Sequence, residues 1–182
     1  MNLFKLNRDW TLFLDRDGVI NKKIDNDYVK KWSEFIFIEN SLKAISVLSN
    51  YFKRIFLVTN QRGVGKGLMS LNDLNNIHKI MNKKIQENGG RIDKIYFCTS
   101  TNDKSLCRKP NIGMANSAKS DYPDIDFKKS LIVGDSTSDI LFGKKAGMMT
   151  ILISKKNKHI DFTQNPDGIF ESLYDFSLCL KK

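Results

Sequence analysis

Five short apolar segments, each running into a polar or acidic string, divide this chain: Trp10 to Leu14, Arg54 to Val58, Lys94 to Phe97, Ser130 to Val133 and Thr150 to Ile153. Ile55-Phe56-Leu57-Val58 and Leu131-Ile132-Val133 contain no polar position. A strand with one wet face would alternate, so these segments read as strands of a parallel sheet buried on both sides. The stretches between them are helical in period. Leu42, Ile45, Leu48 and Phe52 recur through and just beyond Ser41 to Tyr51; Leu71, Leu74, Ile77, Ile80 and Met81 follow Ser70 until Gly89-Gly90 stops the run. After the turn signal Pro166-Asp167-Gly168, Ile169 to Leu180 reads as a terminal helix carrying Cys179. The expectation is an α/β fold with a doubly wound parallel sheet. With 182 residues, it is expected to form a single domain over 1–182.

Bulk composition removes several classes of function. No apolar stretch approaches the roughly 20 residues that a membrane helix needs, and no secretory apolar region precedes Asp15, so a cytoplasmic protein with no membrane partner is expected. Three cysteines, Cys98, Cys107 and Cys179, make no disulfide framework; their expected role is packing in a reducing compartment. The net charge of +10 invites a nucleic-acid reading, but the lysines are scattered over nearly every helical segment. A solvated surface, or a field that attracts an anionic substrate to the site, explains them without a nucleic-acid partner, and a monomer is expected.

Four strings fall at or just beyond the expected strand ends: Asp15-Arg16-Asp17-Gly18, Thr59-Asn60-Gln61, Arg108-Lys109-Pro110 and Gly134-Asp135-Ser136-Thr137-Ser138-Asp139. In doubly wound folds those ends converge on one ligand crevice. A carboxylate at the end of an apolar strand is costly unless a cation or hydrogen bonds meet it. Gly18 permits a turn that brings Asp15 and Asp17 to the same small volume. One carboxylate can then accept a phosphoryl group while the other handles protons. Thr59 offers a hydroxyl and Asn60 a backbone N–H to phosphate oxygens, and Lys109 a point charge where negative charge accumulates. Pro110 reads as the first residue of a helix. Asp135 supplies a distal carboxylate for a divalent cation that prefers oxygen ligands, Asp135 or Ser136 caps the following helix, and Asp139 is either a further ligand or the carboxylate that orients Lys109 or a metal-bound water.

This ordered combination resembles the haloacid dehalogenase superfamily of phosphatases, whose motifs match Asp15-x-Asp17, Thr59, Lys109 and Gly134-Asp135-x-x-x-Asp139 over roughly residues 10 to 153. The resemblance implies a Rossmann-like fold with little or no cap, Asp15 as nucleophile, Asp17 as acid/base, and Thr59 and Lys109 as phosphoryl stabilisers. It also implies magnesium held by Asp15, the Asp17 main-chain carbonyl and Asp135. More narrowly, Phe13-Leu14-Asp15-Arg16-Asp17-Gly18-Val19-Ile20-Asn21, Val58-Thr59-Asn60-Gln61 and Cys107-Arg108-Lys109-Pro110 are similar to the heptose bisphosphate and histidinol phosphate phosphatases. That similarity implies removal of the 7-phosphate of a D-glycero-D-manno-heptose 1,7-bisphosphate on the route to a heptose-bearing glycan such as lipopolysaccharide. The substrate-facing residues are then Arg16, Asp25, Tyr28, Asn60, Gln61, Arg62 and Arg108.

The subfamily's zinc clamp is broken, because Ser100 and Ser105 stand where ligands would be and only Cys98 and Cys107 remain. Structural zinc wants four tetrahedral ligands, so no zinc is expected. Asn21 to Asn40, with Tyr28, Trp32, Phe35 and Phe37, is expected to fold over the edge of the site. Gly63-Val64-Gly65-Lys66-Gly67 lacks phosphate-loop spacing and reads as a mobile loop beside it. His78 and His159 lie too far apart in sequence to suggest a metal cluster. The expectation is a magnesium-dependent phosphomonoesterase acting on a small phosphorylated sugar. Histidinol phosphate or another sugar phosphate, a polynucleotide 3′-phosphate, and a non-catalytic phosphate-binding module stand as alternatives.

Overall fold

The computed structural model describes residues 6–155 and 165–180, and His159 lies outside them. Six strands, β1 (Thr11–Leu14), β2 (Arg54–Asn60), β3 (Lys94–Cys98), β4 (Ser130–Gly134), β5 (Met149–Ile153) and β6 (Gly168–Phe170), form one sheet in the order β3-β2-β1-β4-β5-β6. Every neighbouring pair is parallel. The chain lays down β1 to β3 in one direction, then returns to the other edge of β1 to start β4. The crevice above β1 and β4 is therefore the topological switch point.

Side-chain alternation sends the strands' residues to two separate cores. Leu12, Leu14, Ile55, Leu57, Leu131 and Val133 pack with the buried faces of α1 (Ser41–Tyr51), α3 (Leu71–Glu87) and α6 (Leu173–Cys179). Phe13, Phe56, Val58 and Ile132 face the other way, onto α4 (Gly113–Asp121) and Phe142 of α5 (Thr137–Ala146). With helices on both faces, the central strands have no wet side, which is why their sequences do not alternate. Each fully buried large side chain contributes about 1.5–3 kcal/mol relative to exposure.

Four local expectations need correction. Ile169 and Phe170 belong to the edge strand β6, and α6 starts only at Leu173, where Ser172 accepts a hydrogen bond from the Asp175 N–H. A three-residue strand paired on one side leaves too short a pattern to separate from a helix. Pro110 does not open a helix; α4 begins at Gly113. The Asn60 side chain accepts from the Lys109 N–H and donates to its carbonyl, and turns from Asn111 to Arg108 and from Gly113 to Leu106 fix the intervening backbone. The glycine string is largely a short helix, α2 (Arg62–Gly65), rather than a loop, and a side chain at Gly65 would meet the Thr99 carbonyl at 2.1 Å. Cys98 and Cys107 do not merely pack. They form a disulfide that joins the end of β3 to the residue before Arg108, leaving Cys179 free and exposed.

The excursion after β1 folds back beside the carboxyl ends of the strands. Asn21 bridges to both Asp17 and Phe37, and the rings of Trp32, Phe35 and Phe37 pack on one another 5.0–6.3 Å apart. This anchors the far half of the segment and leaves Lys23 to Val29 as a wall beside the switch point. Among the described residues, no helix is long and apolar enough to cross a membrane.

Candidate active site

A cleft of about 250 Å³ opens over the carboxyl ends of β1, β2 and β4, and its floor holds Asp15, Asp17, Thr59, Lys109 and Asp135. Asp15 directly follows β1, its N–H donating to the Val133 carbonyl at 2.9 Å, so the sheet itself fixes it beside β4. Gly18 has φ 90° and a side chain there would strike Asp135 Oδ2 at 2.2 Å, so the turn after Asp17 needs glycine both for its conformation and for the approach of Asp135.

Lys109 is the electrostatic centre. Its Nζ donates to Asp15 Oδ1 at 2.8 Å, to Asp139 Oδ1 at 2.5 Å and to the Val58 carbonyl at 2.7 Å, which uses all three of its protons. Burial alone would lower its pKa, but Asp139 and Asp15 outweigh burial and hold it above the usual lysine range. Asp139 also serves the helix that follows. Its Oδ2 accepts from the Ser136 hydroxyl and N–H, in a capping box that starts α5. Ser136 is thus the cap, and Asp139 accepts from Lys109 as well as completing the capping box at the start of the helix.

Asp15 and Asp135 have opposite surroundings to Asp17. Burial pushes the Asp15 carboxyl up to about 7, with Asp139 and Asp135 adding to the rise against Lys109. Burial also raises Asp135, with Lys23 opposing it from 3.3 Å. For Asp17 burial is outweighed by Arg16 and by hydrogen bonds from Asn21, Arg16 and Gln61, so its pKa falls below the usual carboxylate value. Arg16 Nη2 lies 3.0 Å from both Asp17 oxygens, Asn21 Nδ2 is 2.8 Å from Oδ1, and Gln61 Nε2 is 2.9 Å from Oδ2.

The substrate-facing expectations divide. Tyr28, Asn60 and Arg108 line the cleft. Arg16 is fully buried and turned to Asp17, while Gln61 is buried with its amide shared between Asp17 and Thr59 Oγ1. Both support the floor from behind, because a guanidinium and an amide in a dry interior seek the nearest acceptors. Arg62 is drawn off the cleft into an ion pair with Asp103, which also accepts from Arg108 Nε at 3.2 Å. Asp25 is exposed, and Asp27, two residues on, lines the wall in its place together with Lys23. No sequence signal distinguishes Lys23 in a chain so rich in lysine.

The donor set fits a divalent magnesium ion. Oxygens of Asp15, Asp135 and Asp139 lie within 4.8 Å of one another, and Asp135 Oδ1 is buried without a hydrogen-bond partner. An orphaned carboxylate oxygen in such a group calls for a cation. Asp139 is committed to Lys109 and Ser136, which leaves Asp15 and Asp135 as the available carboxylates. The Asp17 side chain is likewise committed, to Arg16, Asn21 and Gln61.

Comparison with known proteins agrees with this geometry. The HAD-hydrolase-like family model matches residues 106–176, the part that carries Lys109 and Asp135. A D-glycero-alpha-D-manno-heptose-1,7-bisphosphate 7-phosphatase of Mycobacterium tuberculosis is 34% identical over 173 residues, covering 94% of this chain and 91% of the relative. The chain belongs to the HAD-like hydrolases. A relative of the same name from Campylobacter jejuni is 37% identical over 91% of this chain and 94% of its own, and one from Vibrio cholerae, 34% identical over 82% and 83%, is named for the beta anomer. The D,D-heptose 1,7-bisphosphate phosphatase of B. bronchiseptica, solved with magnesium and phosphate, superposes with a TM-score of 0.84 at 32% identity, covering 94% of this chain and 98% of that one. As a member of this family, the protein is a phosphatase.

His78 of this HAD-like hydrolase sits apart from the carboxylate cluster, packed beside Arg16. Its Nε2 lies 3.2 Å from Arg16 Nη1, and burial and then Arg16 pull its pKa down to about 3. Between the unfolded value near 6.5 and about 3 the unfolded chain binds a proton that the native chain does not, so stability falls as pH drops through that window. From pH 7 to pH 5, the wild type is expected to lose on the order of 1–2 kcal/mol more than His78→Gln. Denaturant melts at the two pH values measure the difference, and parallel losses would contradict a neutral buried imidazole.

Proposed function

We propose that this chain is a magnesium-dependent phosphomonoesterase that removes the 7-phosphate of D-glycero-D-manno-heptose 1,7-bisphosphate. The supporting observation is the convergence of Asp15, Asp17, Thr59, Lys109 and Asp135 on one cleft at the switch point. The names of the relatives carry the choice of sugar. In this reading one domain spans 1–182 and acts as a cytoplasmic monomer in the supply of heptose for lipopolysaccharide or a related glycan, without zinc.

The Asp15 carboxylate attacks phosphorus, forming an oxygen–phosphorus bond as the bond to the sugar oxygen breaks. Protonated Asp17 gives its proton to the departing sugar oxygen, then as carboxylate takes one from the water that attacks the aspartyl phosphate, releasing inorganic phosphate and free Asp15. The grip of Arg16, Asn21 and Gln61 keeps Asp17 ionised at rest, so the proton for the first step arrives with bound substrate. Thr59 accepts from Gln61 at 2.9 Å and retains its own O–H to donate to a phosphate oxygen. Lys109 balances charge on the transferring group and Asn60 holds the Lys109 backbone in register. Asp15, the Asp17 main-chain carbonyl and Asp135 would hold the magnesium ion, which would supply positive charge to the phosphate oxygens. Tyr28 and Arg108 contact the substrate beyond the reacting phosphate.

Phosphate release from both anomers of the bisphosphate, from histidinol phosphate, from hexose monophosphates and from a 3′-phosphorylated oligonucleotide tests the substrate. At least one bisphosphate anomer is expected to exceed every other compound by about tenfold or more in kcat/KM. Equal rates across the sugars would remove the heptose assignment, and salt-sensitive turnover of the oligonucleotide would replace it.

A further inference from the structure

The chain buries an arginine that the reaction scheme does not need as a substrate contact. Arg16 has no exposed surface, and one edge of its guanidinium, Nε and Nη2, faces Asp17 at 3.0–3.3 Å. The remaining terminal nitrogen, Nη1, lies 3.2 Å from Nε2 of His78, which is 5% exposed on the inner face of α3. The Phe35 ring covers the guanidinium with its centroid 6.0 Å from Cζ, and the Phe97 ring stands 5.8 Å from the imidazole. Neither Arg16 nor His78 lines the cleft.

A guanidinium only donates hydrogen bonds, so His78 Nε2 is the acceptor and the ring is neutral with its proton on Nδ1. An arginine can meet a carboxylate in two ways, side-on through Nε and Nη2 or end-on through Nη1 and Nη2. Here the side-on edge is used, and His78 occupies the nitrogen that the end-on mode would require. With its acceptor removed, Nη1 would be a buried donor with no partner, and rotation toward Asp17 would satisfy it. That rotation moves the carboxylate of Asp17.

We propose that His78 is a positioning residue for the phosphatase reaction: by accepting from Arg16 it holds the side-on grip that sets where the Asp17 carboxyl stands. The inference rests on the reading of Asp17 as acid/base. It places a determinant of turnover on α3, packed against Phe97 and outside the cleft lining.

The test compares His78→Leu, which keeps bulk against Phe97 and removes the acceptor, with His78→Gln, whose carbonyl can accept from Arg16. Each variant is assayed for kcat and KM on the bisphosphate at saturating magnesium, with a thermal melt to confirm folding. The leucine variant is expected to lose about 10- to 100-fold in kcat with KM changed less than about threefold, and glutamine to recover kcat to within about threefold of wild type. In an Arg16→Met background, His78→Leu is expected to have no further effect, because the two residues act as one unit. Wild-type kcat in the leucine variant, equal losses in both variants, or additive losses with Arg16→Met would overturn the proposal. Should the leucine variant not fold, His78→Met is read by the same criteria. Asp17→Asn is assayed alongside: retained turnover there would remove the acid/base reading itself, whereas a dead Asp17→Asn beside an unimpaired His78→Leu would reject only the role of His78.

Discussion

Asp15→Asn is expected to reduce phosphate release by roughly four orders of magnitude or more, the scale of loss when the nucleophile of a covalent mechanism is removed. The amide keeps the size and shape of the carboxylate, but its oxygen is a far weaker nucleophile. Stability should move the other way. The Asp15 pKa is pushed up to about 7 from 3.8, chiefly by burial and then by Asp139 and Asp135 against Lys109. The native chain therefore binds a proton more tightly than the unfolded chain, and ionisation of Asp15 costs native stability as pH rises from about 4 to about 7. Asparagine carries no such cost, so at pH 8 without magnesium the variant should melt no lower than wild type. Magnesium should raise its midpoint less than it raises that of the wild type, because a ligand that binds only the native state stabilises it more the tighter it binds. Turnover within tenfold of wild type would exclude Asp15 as nucleophile, and a large loss of stability would mean that the inactivity was structural.

The parts of the fold legible in the sequence are those where one physical cause acts alone. β1, β2 and β4 are buried on both faces, and this erases polar alternation from their sequences, as in Ile55 to Val58. The floor residues were legible because doubly wound topology places strand ends together, so Asp15, Thr59 and Asp135 could be assigned to one crevice from position along the chain. What stayed hidden depends on contacts between residues far apart. Arg16 and His78 are 62 positions apart, and only the seating of α3 against the sheet makes an apparent substrate arginine a buried support. Lys23 reaches Asp135 across 112 positions, with nothing to distinguish it from its lysine neighbours. The Cys98–Cys107 bridge depends on a turn through Asp103 that draws in both Arg62 and Arg108, and spacing alone did not show that turn.

Lys109→Met is expected to damage both stability and turnover. Lys109 is 3% exposed, and its three ammonium protons go to Asp15, Asp139 and the Val58 carbonyl. Methionine fills much of the same volume but leaves two carboxylates and a carbonyl without that partner in a dry interior. Breaking a buried pair by removing one member costs about 3–5 kcal/mol, which for a chain of this size corresponds to a fall of roughly 10 °C in melting midpoint. The transferring phosphoryl group loses the cation that balances its charge, a loss of about 100- to 1,000-fold in kcat. The deficit must depend on pH. Without Lys109 the native pKa of Asp15 rises beyond about 7, so the variant loses stability as pH climbs toward that higher value and recovers it on acidification. The gap from wild type should therefore be smaller at pH 5 than at pH 8, and magnesium should close part of it at pH 8 by replacing the missing positive charge. Adding Asp15→Asn to Lys109→Met should restore stability without restoring turnover, because it removes one of the two stranded charges along with the nucleophile. A Lys109→Met variant that melts with the wild type at pH 8 would show that another group can neutralise Asp15 and Asp139, and that Lys109 is not what holds these carboxylates together.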